Sequence, residues 1–130
     1  MRLLLDTHIA LWAITNNPNL SDLARTLIGD QENEIFVSLA AVWEIAIKHA
    51  AVHAWDPIPM SGAEALDAFR DAGYDVVDIV PAHVVALETL PPLHRDPFDR
   101  ILVAQALSIP LRLVTRDRQV AAYSDTIIVV

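Results

Sequence analysis

Cysteine is absent from this 130-residue chain, glycine occurs three times and lysine once, at Lys48. Without cysteine there is no disulfide scaffold, zinc ribbon, iron–sulfur cluster or thiol nucleophile, so any metal must be held by oxygen or imidazole. The isolated glycines exclude a Gly-rich phosphate loop, and no Ser-His-Asp ordering is found. Long apolar runs are missing too: mean hydropathy is +0.37, yet charges interrupt every stretch well short of the roughly 18–20 residues a bilayer span needs. Leu3-Leu4-Leu5 ends at Asp6, before a secretory apolar core of about 7–15 residues could form, so a cytoplasmic location is expected. Basic charge is scarce, with 9 Lys and Arg against 17 Asp and Glu and a net charge of −8. That balance argues against a protein that coats nucleic acid through a basic surface.

What remains is a chain that is 54% hydrophobic, with no repeat or linker, and long enough to bury a core as one domain over residues 1–130. Leu3–Leu5 reads as a strand buried on both faces. A helix around Trp12 follows, up to Asn16-Asn17-Pro18, and a second runs from the Ser21-Asp22 start to Ile28, where Gly29 can close it. Ile35–Val37 is a second strand, and Ser38 caps a helix to about His49. After the loop Asp56-Pro57-Ile58-Pro59, Ser61 and Glu64 form a capping box for a helix to Ala72, ended by Gly73. Val76–Val80 reads as a third strand, and Pro81 opens a helix that Pro91-Pro92 stops. Asp96-Pro97-Phe98-Asp99 starts a helix to about Ser108. Leu111–Thr115 is a fourth strand, followed by a short helix over Asp117–Tyr123 and a last strand over Thr126–Val130. The alternation predicts an α/β fold with a mostly parallel sheet covered on both faces.

In such sheets functional groups gather beyond the carboxyl ends of the strands. Four acids are placed to converge there: Asp6, Glu44, Asp99 and Asp117. Converging carboxylates are costly unless protonated or neutralised by a hard cation, and Mg²⁺ or Mn²⁺ suits an oxygen-rich set. Each acid also has a plainer role open to it. Asp6 or Thr7 can cap the first helix, Glu44 can pair with Lys48 one turn on, and Asp117 can cap the helix behind it. Of the Asp96/Asp99 pair, Asp96 is assigned to the cap and Asp99 to chemistry. His49 and His53 would form an i,i+4 pair without a third ligand, a weak metal signal. The segment from His94 to Arg118 carries five Arg and three Asp, so basic groups flank the proposed site. Arg116 and Arg118 bracket Asp117 and could hold phosphates.

The segments Leu4-Leu5-Asp6-Thr7-His8 with Leu11-Trp12, Trp43-Glu44-Ile45-Ala46-Ile47-Lys48, His94-Arg95-Asp96-Pro97-Phe98-Asp99-Arg100 with Ala104-Gln105-Ala106, and Val114-Thr115-Arg116-Asp117 resemble the PIN-domain family. Within it they look like the VapC-type ribonuclease toxins of bacterial toxin–antitoxin modules. Taken together and in this order they span most of the chain. The resemblance implies a PIN-like fold and an endoribonuclease dependent on Mg²⁺ or Mn²⁺ that hydrolyses RNA phosphodiesters through metal-activated water. It implies Asp6, Glu44, Asp99 and Asp117 as catalytic and metal-binding acids, with Thr7, Asp96 and Thr115 in orienting roles. It further implies a homodimer and a cognate antitoxin. A catalytically silent PIN-like interaction module is the alternative. An aspartate-based phosphatase wants an Asp where His8 stands, and a receiver domain wants a late Lys at a strand end.

Overall fold

The computed structural model describes residues 1–51 and 58–130. Asp56 and Pro57 of the expected loop, and His53 of the histidine pair, lie outside the described residues. In chain order the elements are β1 (Arg2–Leu5), α1 (Thr7–Ile14), α2 (Asp22–Gly29), β2 (Glu34–Ser38), α3 (Leu39–Ala50), α4 (Gly62–Asp71), β3 (Asp75–Val77), α5 (Pro81–Ala86), a 3₁₀ turn (Leu87–Thr89), α6 (Pro97–Ser108), β4 (Arg112–Thr115), α7 (Arg118–Ala121) and β5 (Ile128–Val129). All strand pairs are parallel, in the order β3-β2-β1-β4-β5.

The central strand β1 explains the layering. Its residues alternate between faces, as a period of two requires. Leu3 and Leu5 pack with Ile9, Ile45 and Phe69 on one side, whereas Leu4 packs with Leu102, Val103 and Leu113 on the other. Both faces are therefore dry, and the three leucines are fully buried. Each such side chain contributes about 1.5–3 kcal/mol by leaving water.

The helix starts follow the local chemistry read from the sequence. Ser21 accepts from the Ala24 amide, Ser38 from Ala40, and Ser61 and Glu64 form the reciprocal capping box. Gly73 ends α4 with φ of +83°, a conformation that costs glycine nothing. Gly29 is instead the last residue of α2, and Asp30 closes that helix.

Several elements are shorter than expected: the helix read over Asp117–Tyr123 spans Arg118–Ala121, the strand read over Thr126–Val130 spans Ile128–Val129, and two others end early for visible reasons. The strand read as Val76–Val80 ends at Val77. The Asp78 carbonyl accepts from Gln105 Nε2 instead of a strand, and the Val80 amide donates to His83 Nδ1 at the start of α5. The α5 helix tightens into the 3₁₀ turn before Leu90, and the Leu87 and Leu90 carbonyls accept from Arg100 Nη2.

Strand order sets the location of the site. From β1 the chain moves outward to β2 and β3, then crosses back to add β4 and β5 on the opposite flank. The order reverses between β1 and β4, so a crevice opens beyond their carboxyl ends.

Candidate active site

Asp6 is the first residue beyond β1. It caps α1 through Oδ1, which accepts from the Ile9 amide at 3.0 Å. Its other oxygen accepts from Thr115 Oγ1 at 2.5 Å. Burial pushes the Asp6 carboxyl above its ordinary value, and Glu44 adds to this; the Thr115 hydroxyl, the Ile9 amide and His8 oppose it.

Thr115 ends β4, and its Oγ1 also accepts from the Asp117 amide at 3.0 Å. Asp117 Oδ1 accepts from the Gln119 amide and so caps α7. Its Oδ2 faces His94 Nε2 at 2.9 Å. Although burial works the other way, the His94 bond and the backbone amides hold Asp117 below its usual range.

Asp99 lies in the first turn of α6, whose cap is Asp96, accepting from the Phe98 amide at 2.9 Å. The cap thus falls on Asp96, as the capping argument expects. Burial pushes Asp99 up to about 7, and the charges of Asp96, Asp6 and Glu44 add to it, against a partial offset from His94. Its nearest polar partner among the described residues is His94 Nε2, at 3.5 Å.

Glu44 is buried on α3 and doubly engaged. Oε1 accepts from Thr7 Oγ1 at 2.7 Å, and Oε2 pairs with Lys48 Nζ at 2.5 Å. Although its own burial opposes the shift, Lys48 is held above its usual value by Glu44, Asp96 and Asp99, so one ammonium serves three acids. The i,i+4 pair and the place beside the other acids are both present.

His94 was not singled out from the sequence. Its Nδ1 accepts from the Asp96 amide at 3.0 Å, which leaves Nε2 carrying the proton of the neutral ring. That N–H donates to Asp117 and points at Asp99. His94, Asp99 and Asp117 present ligand atoms within 4.8 Å of one another, but with its proton on Nε2 the imidazole acts here as a donor between two carboxylates. The His94 amide in turn donates to the Tyr123 hydroxyl at 2.9 Å, anchoring the loop. The available signal was position: His94 lies two residues before the Asp96 cap.

The donor set fits a hard divalent cation. Asp99 is the under-neutralised member, a half-buried carboxylate with acidic neighbours and one long contact to an N–H, the kind of group a hard cation would neutralise. Arg116 and Arg118 are exposed beside Asp117, and Arg116 lies over the Trp12 ring, 5.1 Å from its centroid. His49 is exposed and its Nδ1 meets the Ile58 carbonyl.

The PIN domain family matches residues 3–125. The chain belongs to the PIN domain family. Among solved structures, this PIN domain resembles a chain of VapBC2 from Rickettsia felis bound to a DNA fragment from their promoter. The TM-score is 0.68 and the identity 17%, over 100% of this chain and 98% of that one. It also resembles a chain of FitAcB from Neisseria gonorrhoeae, with TM-score 0.63 and 14% identity, over 98% of this chain and 96% of that one. At these identities the likeness is one of fold. No curated protein gives a significant match. Among the described residues no helix is long and apolar enough to cross a membrane.

Proposed function

We propose that this PIN domain, as a single unit over residues 1–130, is a divalent-ion-dependent endoribonuclease acting as the toxin of a bacterial toxin–antitoxin pair in the cytoplasm. PIN domains are generally nucleases, and both fold neighbours come from complexes named for two components, VapBC2 and FitAcB. The observation that carries the reading is Asp99, whose carboxyl is pushed up to about 7 among Asp6, Glu44 and Asp96. A half-buried acid with acidic neighbours at a switch-point crevice supports a functional site.

In this reading Asp6, Asp99, Glu44 and Asp117 hold Mg²⁺ or Mn²⁺. A cation there supplies Lewis acidity to the phosphate and to water. The rest is done by the chain. Thr115 fixes the Asp6 carboxylate, Thr7 fixes Glu44, and Asp96 anchors the first turn of α6 so that Asp99 faces the crevice. His94 holds Asp117, while Arg116 and Arg118 draw the RNA backbone toward an otherwise acidic surface. That acidity also suits a basic antitoxin segment, and the family resemblance further implies a homodimer.

The test is cleavage of total RNA with Mg²⁺ or Mn²⁺, with EDTA, and with Asp99→Asn. Cuts that need the ion and vanish in the variant support the assignment. An absence of both cleavage and Mn²⁺ binding would move the assignment to a silent interaction module.

A further inference from the structure

Arg116 follows Thr115 and precedes Asp117, two residues at the centre of the crevice, yet among the described residues it joins no ion pair. Asp117 is taken by His94, and among the described residues the Arg116 guanidinium finds only the Trp12 ring. None of its five N–H donors is engaged by the described residues. Both residues are one step removed from the first carboxylate: Trp12 is one helical turn beyond Ile9, whose amide binds Asp6, and Arg116 follows Thr115, whose hydroxyl donates to Asp6.

Between Trp12 and Arg116 opens a recess of about 180 Å³, completed by Ile9, Asn19, Ser21 and Val130. It is smaller than the roughly 300 Å³ at which sites for drug-sized ligands begin, so it suits one ring system. Its chemistry is that of a nucleotide seat. An aromatic face and a guanidinium can stack with or clamp a base and its phosphate. The Asn19 side chain offers a donor and an acceptor. Ser21 Oγ accepts from the Ala24 amide at 3.1 Å and keeps its own proton to give.

We propose that the Trp12–Arg116 recess holds one unpaired nucleotide of the RNA substrate next to the carboxylates, stacked on Trp12 with its phosphate on Arg116. The proposal rests on the nuclease reading. It makes the enzyme selective for single-stranded or looped RNA, because a base inside a duplex cannot enter.

The test uses the full chain and a fluorescein-labelled pool of randomised 12-nucleotide single-stranded RNAs, followed by anisotropy in EDTA so that no cleavage intervenes. Trp12→Leu should weaken binding about 5- to 150-fold, the range of one lost stacking contact, and Trp12→Phe should restore most of it. Arg116→Gln should weaken binding and lower the slope of log affinity against log salt by about 0.7, as one lost phosphate contact on a single strand does. Arg70→Gln, an exposed cation on α4, should bind as the parent does. Arg116 is exposed, so its variant remains informative if Trp12→Leu fails to fold. If the parent cleaves total RNA and binds the pool while Arg116→Gln and a folded Trp12→Leu match it, the recess is overturned and the nuclease stands. A parent that neither binds the pool nor cleaves RNA overturns both.

Discussion

Thr115 Oγ1 donates to Asp6 Oδ2 and accepts from the Asp117 amide, so one hydroxyl joins the carboxyl ends of β1 and β4. Valine has the same shape and neither polar role. Thr115→Val should destabilise the protein by about 1–3 kcal/mol for each buried group it leaves unpaired, read from urea unfolding. Thr115→Ser should recover most of the loss. Equal stability of the valine variant would show that the hydroxyl is dispensable.

Asp99 sets a pH dependence. Its carboxyl titrates at about 7 in the folded protein against 3.8 for an ordinary aspartate, so between those values the folded state keeps a proton that the unfolded chain has released. The resulting stability is complete below about pH 4 and is lost as pH rises through 7. Metal-free protein should melt higher at pH 5 than at pH 8. Asp99→Asn should flatten that difference and exceed the parent at pH 8. Asp6 is shifted in the same direction, so part of the slope should remain. Mn²⁺ must displace the Asp99 proton, and its affinity by calorimetry should climb up to about tenfold per pH unit below 7.

His94 separates a clamp from a ligand. If its Nε2–H holds Asp117, His94→Ala should weaken Mn²⁺ binding by about 10- to 100-fold, as loss of an outer hydrogen-bond partner does. Glutamine can accept from the Asp96 amide and donate to Asp117, so His94→Gln should bind within a few-fold of the parent. A glutamine variant as weak as the alanine one would mean that the imidazole itself ligates.

Lys48 neutralises part of the acidic cluster. Lys48→Met leaves Glu44 buried without its cation, a costly state in the absence of metal. The variant should melt lower than the parent in EDTA, and Mn²⁺ should raise its melting temperature by more than it raises the parent's. Identical Mn²⁺-induced shifts would show that Lys48 does not balance the site.

Strand alternation, caps and breakers were readable because each is local. Ser38, Ser61, Asp96 and Gly73 act within four residues of themselves. The end of β3 was not readable, since it depends on Gln105 reaching Asp78 from 27 residues away. Asp6 and Asp117 were legible as acids just beyond strand ends, Asp99 as a helix-start acid, and Glu44 as an acid inside the helix after β2. His94 was not, because its role needs a partner 23 residues further on. Nor does spacing reveal that Arg116 turns to Trp12 rather than to its neighbour Asp117.

The parallel pairing of β1 with β4 has a consequence in time. The bond from Thr115 to Asp6 spans 109 positions, and loops of that length close slowly. During synthesis β1 is made first and must wait for β4 before its second edge is covered and its aspartate is gripped. Nascent chains therefore carry no assembled crevice, and the proposed nuclease gains its site only after β4 has been made and has docked on β1.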